Sequence, residues 1–352
     1  MQTSELEQAG DLIMPAEWEL HDSTWLSWPH NQETWTAFLD AAEAAMVEVV
    51  AALTPHEHVH INVLDADHGR HVAALLAKRA SSAGFTLHQV PTNDAWIRDH
   101  GAIFVTRRED AEVLALDFEY NAWGGKYPPF DLDQQVASRM ASIAGVDCIA
   151  QGIVLEGGSI DVNGAGCLLT TEQCLLNPNR NPSLDRVAIS EVLKAAFGAN
   201  QIVWLGDGIE GDDTDGHVDD VTRFVAESTI VTAVEPNTSD PNHAPLAANL
   251  RALQSLLIPE QPAEVIELPM PEPQFFGRQR LPASYANFYI ANDVVLLPVF
   301  GCVHDETAAS ILASCLRGRQ VIPIDARALI HGLGAIHCLT QQLPALPGRN
   351  RP

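Results

Sequence analysis

The sequence predicts an α/β protein, because short strand patterns alternate with amphipathic helix patterns along its 352 residues. Runs of β-branched and apolar residues bounded by turn residues indicate strands. They cover residues 59–64, 101–105, 153–155, 166–171, 202–205, 229–234, 294–299 and 321–324. Apolar residues with helical spacing cover residues 36–53, 69–82, 132–144, 183–197, 245–257 and 306–316.

A second observation indicates that this alternation repeats. Five segments place a polar residue beside a small or apolar strand, namely Asp99, Glu156, His217, Asn287 and Cys338. The intervals between them are 57, 61, 70 and 51 residues, near the upper edge of ordinary repeat periods. If each segment belongs to a blade or ββαβ unit around one axis, these polar side chains converge at its centre.

The composition excludes several classes of partner. The chain has 46 acidic and 20 basic residues, a formal charge of −26, so it repels nucleic acid and anionic bilayers and favours cationic ligands. The composition, with 46% hydrophobic and only 19% charged residues, predicts a globular protein. No apolar run approaches the roughly 20 residues of a membrane helix.

The chain shows no linker that would divide it. Residues 238–244 and 269–277 are rich in Pro and polar residues and are predicted to be surface loops within one architecture. Residues 1–14 contain Glu5, Glu7 and Asp11 but no Lys or Arg, which argues against a secretory signal and predicts a cytoplasmic protein. None of the six cysteines forms a C-x-x-C pair, and reduced thiols are expected. The oligomeric state stays open, with a homo-oligomer among the allowed states.

Residues 56–60 match the zinc-peptidase pattern H-E-x-x-H. That chemistry needs a helix that places both histidines on one face. Here Pro55 precedes the motif, and the residues from Val59 onward alternate as in a strand, on which the histidines would lie roughly 13 Å apart. The sequence therefore disfavours a metallopeptidase.

Two polar segments adjoin predicted strands in the first half of the chain. Asp99 follows Arg98 in a polar stretch before strand 101–105, and an ordinary ion pair would explain it equally well. Glu156 follows the apolar residues 153–155 and precedes Gly157 and Gly158, which indicates close backbone approach at a strand end. A buried carboxylate needs a partner, either a functional one or a structural ion pair.

The segment 206–220 concentrates acidic residues. An EF-hand is excluded, because alignment on Gly216 puts Gly211 at the first ligand position and Thr222 at the twelfth. Residues 207–215 are either a solvated acidic loop or the outer part of a funnel that attracts a cationic substrate. His217 and Asp219 are predicted to share one face of a strand.

Cys338 is the best candidate nucleophile, although a lone cysteine is more often buried and inert. Glycines at 332 and 334 would let a substrate approach, and the neighbouring His337 would lower the thiol pKa. The other cysteines lie in apolar strand or helix patterns and are assigned to packing.

Several segments together resemble the agmatine deiminase and bacterial peptidylarginine deiminase-like family of guanidino-group-modifying enzymes. The matching stretches run in order along nearly the whole chain. They are residues 14–19, 25–29, 93–101 (NDAWIRDHG), 121–127, 155–164 (LEGGSIDVNG), 169–182, 211–220 (GDDTDGHVDD), 282–287 and 334–342 (GAIHCLTQQ). His100 departs from the usual pattern, which leaves the surroundings of Asp99 open.

The resemblance implies one deiminase domain, 1–352 with an ordered core of about 10–345, built as a five-bladed α/β propeller of ββαβ-type units with pseudo-fivefold symmetry. It also implies hydrolytic deimination of a small cationic guanidino substrate, without metal or organic cofactor. The implied catalytic residues are Asp99, Glu156, His217, Asp219 and Cys338.

The implied roles fit the chemistry of a guanidinium, which carboxylates bind through paired charge-assisted hydrogen bonds. Asp99 and Asp219 form that clamp, and Cys338 attacks the central carbon to give a thiouronium intermediate. His217 protonates the departing nitrogen and later activates water, and Glu156 orients it. Trp96 either packs on the substrate's aliphatic stem or is a partly buried structural aromatic.

Agmatine, as a dication, suits the acidic composition and is the preferred substrate. Deimination of arginine residues in peptides is the enzymatic alternative, although the sequence offers no identifiable basic residue for a carboxylate. A non-catalytic binder of polyamines or basic peptides is the alternative of another class, and Cys338 beside the acid and histidine set argues against it.

Overall fold

A computed structural model of the protein describes residues 11–346. Within these residues, five sheets repeat one connection, in which an antiparallel strand pair leads through a helix to a strand parallel to the second. Helices that cross over between parallel strands cover the sheet faces, so the fold is mixed α/β. We number these ββαβ units one to five.

The bounds of each unit are given in the order strand, strand, helix, strand. Unit one is Gln341–Pro344, His21–Ser27, Leu39–Leu53 and His58–Val63; unit two is Ile103–Arg107, Val113–Glu119, Val136–Ala144 and Asp147–Val154. Unit three is Asp161–Val162, Cys167–Thr171, Arg186–Phe197 and Gln201–Leu205. Unit four is Thr222–Ala226, Thr229–Val234, His243–Gln254 and Glu264–Pro269; unit five is Tyr289–Ile290, Val294–Val299, Asp305–Cys315 and Gln320–Asp325.

Further elements extend this pattern. Helix Ala66–Leu76 and the parallel strand Phe85–Gln89 extend unit one, and strand Leu12–Ile13 edges unit two. Small hairpins pair Leu257–Ile258 with Gln261–Pro262 and Phe275–Phe276 with Gln279–Arg280. Short helices are Ile97–His100, Ala122–Gly125 and Glu172–Leu175, and 3-10 turns are Asp133–Gln135, Gly157–Ser159, Val218–Asp220, Leu329–Gly332 and His337–Leu339.

The central strands are buried because sheet and helix cover both of their faces. Five of the six residues of Val294–Val299 are buried, and they pack in the largest apolar cluster together with helix Leu39–Leu53. A second cluster joins units two and three through Leu116, Leu168 and Leu193. No helix in residues 11–346 is long and apolar enough to span a bilayer, and all six cysteines, which lie in this range, are unpaired.

The secondary-structure predictions for 229–234 and 294–299 are confirmed to the residue. The prediction for 153–155 was too short, because these residues are at the end of the strand Asp147–Val154. Residues 58–63 form a strand, as expected for the H-E-x-x-H segment.

The recurrent polar residues share one place in the units. Asp99, Glu156, His217, Asn287 and Cys338 each lie on the turn just before the first strand of a unit. The prediction that His217 and Asp219 lie on a strand was wrong, because His217 precedes the 3-10 turn Val218–Asp220, which contains Asp219. The repeated position brings side chains from five distant segments toward one site.

Candidate active site

The predicted residues meet at the inner end of a cleft of about 300 Å³. Asp99 and Cys338 line this cleft directly, whereas His217, Glu156 and Asp219 lie behind them and are fully buried. The site thus combines a thiol, a histidine and three carboxylates in a small space. Their catalytic roles stay predictions, and their convergence is a property of the fold.

Cys338 is held by Asn287 at the inner end of the cleft. The Asn287 side-chain amide donates to Cys338 Sγ over 3.1 Å, and its Oδ1 atom accepts from the Cys338 backbone N–H over 3.4 Å. Burial raises the thiol pKa well above its ordinary value, and Asp219 and Asp220 raise it further. The prediction that His337 would lower this pKa was wrong, because burial of the thiol and the nearby carboxylates raise it.

Asp99 is positioned by two donors on opposite oxygens. The indole N–H of Trp123 donates to Oδ2 and the backbone N–H of Gly158 donates to Oδ1, each over 3.0 Å. Burial raises the Asp99 pKa to about 6. His217 opposes this rise, whereas the carboxylates of Asp219 and Glu156 add to it. A bound cation would therefore favour the ionised carboxylate.

Trp123 reaches Asp99 from a strained turn. Residues 122–125 all have left-handed φ angles, which are 52° at Ala122 and 54° at Trp123. Such angles are costly for residues other than glycine and occur where the surrounding structure imposes them. The turn therefore fixes the indole donor in place.

The glycines after Glu156 are required by close approach, as predicted. A Cβ atom on Gly157 would lie 2.2 Å from the Arg98 carbonyl oxygen. A Cβ atom on Gly158 would lie 2.6 Å from His217 Nδ1 and 2.9 Å from Asp99 Oδ1. Any side chain at Gly158 would therefore displace the site residues.

His217 lies between two carboxylates. Its Nδ1 atom is 3.6 Å from Asp99 Oδ1 and its Nε2 atom is 3.9 Å from Glu156 Oε2. Burial alone would lower the His217 pKa, but Asp99, together with Cys174 and Glu156, raises it well above the ordinary value. The carboxylates around the ring therefore favour its protonated form.

Glu156 is fixed by the buried Arg180. The Arg180 Nε atom donates to Glu156 Oε1 over 2.8 Å, and its outer nitrogens bond Asp215 and the Thr214 carbonyl oxygen. Burial would raise the Glu156 pKa, but His217 and Arg180 hold it below its ordinary value. The ionised carboxylate can then support a protonated His217.

Aromatic and acidic side chains line the cleft. Trp96 packs against Trp35 at 5.3 Å between ring centroids, and a Cβ atom on Gly334 would lie 2.5 Å from the Trp96 ring. The glycines near Cys338 therefore make room for tryptophans, in addition to lining the cleft. Glu33, Asp94 and Asp213 also line the cleft, whereas no Lys or Arg does among the residues described.

Comparison with known proteins places this cleft in a family of deiminases. The model of the Porphyromonas-type peptidyl-arginine deiminase family matches residues 13–344. The chain belongs to this family. A Legionella pneumophila (strain Paris) protein named "Putative agmatine deiminase" is 36% identical over 334 residues, covering 94% of this chain and 95% of that protein.

Solved structures of related deiminases have the same fold. The agmatine deiminase of Enterococcus faecalis matches with a TM-score of 0.90 and 29% identity, covering 98% of each chain. A C. jejuni agmatine deiminase with a cysteine-to-serine change and substrate bound matches with a TM-score of 0.85 and 31% identity, covering 94% of this chain and 96% of that one. This chain is therefore similar to both over nearly its full length.

The structure adds residues that the sequence analysis of this deiminase-family chain did not assign. Arg180, Trp123 and His337 contact the predicted site residues directly. Asn287 appeared in the recurrent pattern but received no role, and it now contacts Cys338. The N-P-N-R-N-P segment at 177–182, within a matching stretch, was the available signal for Arg180.

One buried group in this deiminase-family site has donor types suited to a metal. Ligand atoms of Glu156, Cys174 and His217 lie within 4.8 Å of one another. Arg180 already neutralises Glu156 at 2.8 Å, which disfavours an added dication there. The H-E-x-x-H segment offers no alternative site, because its Glu57 bonds Thr24 and the Asn292 backbone N–H.

Proposed function

We propose that the protein is an agmatine deiminase, a hydrolase that converts agmatine and water to N-carbamoylputrescine and ammonia. The observation that carries the proposal is the meeting of Cys338 with Asp99 and Asp219 at the inner end of a cleft without Lys or Arg among its described lining residues. Relatives named as agmatine deiminases over nearly the whole chain support it.

Asp99 and Asp219 bind the guanidinium in this proposal. Asp219 Oδ2 is 3.7 Å from Cys338 Sγ, so a guanidinium on this carboxylate lies beside the nucleophile. The incoming positive charge offsets the carboxylates that hold the Cys338 pKa high. Substrate binding therefore favours the thiolate that attacks.

The first chemical step exchanges nitrogen for sulfur on the central carbon. The Cys338 sulfur forms a bond to that carbon, and the C–N bond to one terminal nitrogen breaks. His217, protonated before substrate arrives, donates to the leaving nitrogen, so the proton lost by the thiol is balanced by the proton that leaves on ammonia. The product of this step is a thiouronium cation on Cys338.

Water completes the reaction. His217 accepts a proton from a water molecule whose oxygen attacks the thiouronium carbon, and the C–S bond breaks. The ureido product leaves, Cys338 recovers its proton, and one proton enters solution to convert ammonia to ammonium. Glu156, fixed by Arg180, keeps the His217 ring oriented through both steps.

The acidic lining of the cleft supports agmatine over arginine. Glu33 carries no ion pair among the described residues, and its charge favours the free ammonium of agmatine and repels an α-carboxylate. Trp96 lies on the wall, where we propose that it packs against the butyl stem. Peptidyl-arginine, which also lacks a free α-carboxylate, stays the alternative because the matching family model carries that description.

The test is to incubate purified protein with agmatine, free arginine and an arginine-containing peptide, and to measure ammonia and ureido product. We expect turnover of agmatine well above that of the other two. Turnover of the peptide but not of agmatine would refute the substrate assignment. EDTA should leave the rate unchanged, and a reversible loss on chelation would contradict a metal-free mechanism.

We further propose that the five ββαβ units form a five-bladed propeller with pseudo-fivefold symmetry, and that residues of about 10–345 form a single deiminase domain. The repeated strand order and the convergence of the five turns support this arrangement. A cytoplasmic location agrees with six unpaired cysteines.

A further inference from the structure

The turn that carries Cys338 also carries His337, whose ring lies between two carboxylates. His337 Nδ1 is 2.7 Å from Asp219 Oδ2, and Nε2 is 2.8 Å from Glu17 Oε2. All three residues are at most 6% exposed, so water does not screen these contacts. The imidazole connects the expected guanidinium clamp to a segment near the chain's N-terminus.

The carboxylates on both sides of His337 are ionised. Burial would raise the pKa of Glu17, but Arg223 and His337 hold it well below the ordinary value. Burial would also raise the pKa of Asp219, and His337 is the largest influence that lowers it. Each of these carboxylates has an oxygen within hydrogen-bond distance of a ring nitrogen of His337, one on either side of the ring.

Glu17 is a rigid anchor for the His337 ring. Its Oε1 atom is 2.9 Å from an Arg223 guanidinium nitrogen and accepts from the Ile290 backbone N–H over 2.8 Å. Its Oε2 atom is 3.4 Å from an Arg98 nitrogen. Arg98 also donates to the His337 carbonyl oxygen over 3.3 Å. Side chain and backbone of His337 are thus both held.

Asp219 uses its two oxygens differently. Oδ2 bonds His337, whereas Oδ1 is buried without a hydrogen-bond partner among the described residues. We propose that His337 is a positioning residue, whose ring holds Asp219 by Oδ2 so that Oδ1 meets the guanidinium beside Cys338. This inference rests on the proposed function and assigns a role to a residue outside the predicted set.

The neighbouring Asp220 shows what happens without such a partner. Asp220 is also buried, and within residues 11–346 its side-chain donor is the neutral amide of Asn287, over 3.0 Å. Burial and the Asp219 charge raise the Asp220 pKa well above its ordinary value. The pKa values of these consecutive carboxyl groups are therefore shifted in opposite directions, and Asp219 is the one that contacts the His337 ring.

Paired substitutions of His337 separate its two contacts. In His337→Asn the amide nitrogen replaces Nδ1 and can still donate to Asp219, whereas in His337→Gln it replaces Nε2 and faces Glu17. We expect kcat/KM for agmatine to fall about 10-fold in the Asn variant and about 100-fold in the Gln variant, as for loss of hydrogen bonds to charged groups. His71→Asn, which removes a half-exposed pair with Glu43, is the matched control and should retain the wild-type rate.

A second readout reports the clamp without agmatine turnover. Alkylation of Cys338 is measured by mass with 2-chloroacetamidine, a cation, and with iodoacetamide, which is neutral. The ratio of the two rates measures how well the carboxylates attract an amidinium, and general loosening of the fold would raise both rates. We expect the ratio to fall about 10-fold in His337→Asn and further in His337→Gln.

The outcomes distinguish the two proposals. A loss in Gln equal to or smaller than that in Asn, or wild-type alkylation ratios in both variants, would overturn the positioning role. If both variants unfold, Glu17→Gln removes the anchor charge, and a wild-type ratio in that variant would overturn the role. No agmatine turnover by the wild type, together with a ratio that depends on His337, would refute the substrate and support the positioning role.

Discussion

Replacing Asp99 with asparagine should stabilise the protein while abolishing its activity. The buried carboxyl has a pKa of about 6 in place of the ordinary 3.8, and each pKa unit corresponds to about 1.4 kcal/mol. Ionised Asp99 therefore lowers the free energy of unfolding by about 3 kcal/mol above pH 6. The asparagine amide oxygen can replace only one of the two acceptors for Trp123 and Gly158, and the lost hydrogen bond lowers the stability of the variant by about 1 kcal/mol. The expected net gain at pH 8 is about 2 kcal/mol.

The sign follows from the raised pKa. The folded state holds the Asp99 proton between pH 4 and 6 while the unfolded state releases it, so the wild type loses stability as pH rises through this window. At pH 5 the destabilisation of the wild type falls from about 3 to about 1.6 kcal/mol, so the net gain of Asp99→Asn falls from about 2 to about 0.6 kcal/mol. Well below the ordinary pKa of 3.8 the carboxyl is protonated in both states, and only the lost hydrogen bond, about 1 kcal/mol in favour of the wild type, distinguishes the two proteins.

Urea denaturation of both proteins at pH 5 and pH 8 measures this difference. Asp147→Asn, at an exposed position, is the matched control and should change little at either pH. Agmatine turnover by Asp99→Asn should fall by more than about 100-fold, as expected when a preorganised charge is removed. A variant less stable than wild type at pH 8, or a difference that is equal at both pH values, would refute the reasoning.

Three further substitutions test the site. Cys338→Ala should abolish turnover with unchanged circular dichroism, while Cys148→Ala, at an exposed thiol, keeps it; full activity without Cys338 would refute the nucleophile. Gly158→Ala should reduce turnover by more than about 100-fold, because its Cβ would lie 2.6 Å from His217 Nδ1; Gly69→Ala, with its nearest atom at 3.5 Å, is the control. Trp123→Phe removes a donor to Asp99 and should lower kcat/KM about 10-fold at pH 7. The control is Trp204→Phe, which removes an indole N–H that donates to Ser190 and should leave kcat/KM unchanged. Equal rates in both tryptophan variants would contradict the assigned positioning of Asp99.

Local patterns were sufficient where local physics decides the structure. The strands Thr229–Val234 and Val294–Val299 are rich in β-branched or apolar residues, and both were predicted with correct bounds. The strand His21–Ser27 was missed because it contains Ser23, Thr24 and Ser27, polar residues that this fold buries. The helix predicted from Gly69 begins at Ala66, where the side chain of Asp65 caps it.

Contacts between distant segments account for what the sequence could not show. The bond from His337 to Glu17 spans 320 residues, and the contact between Cys338 and Asp219 spans 119. The adjacent His337 alone predicted a lowered pKa for the thiol. Burial of the thiol, together with carboxylates that arrive from other units, reverses that direction.

The strand that follows the nucleophile completes the first unit of the fold. Gln341–Pro344 pairs with His21–Ser27, so almost the entire chain lies between the two partners. Contacts of such sequence separation form late, because a long loop must close before they are made. During synthesis Cys338 therefore reaches Asp99 and Asp219 only after these other segments have emerged. A chain shortened before Cys338 lacks this assembled site, which confines the proposed chemistry to chains that include this last strand.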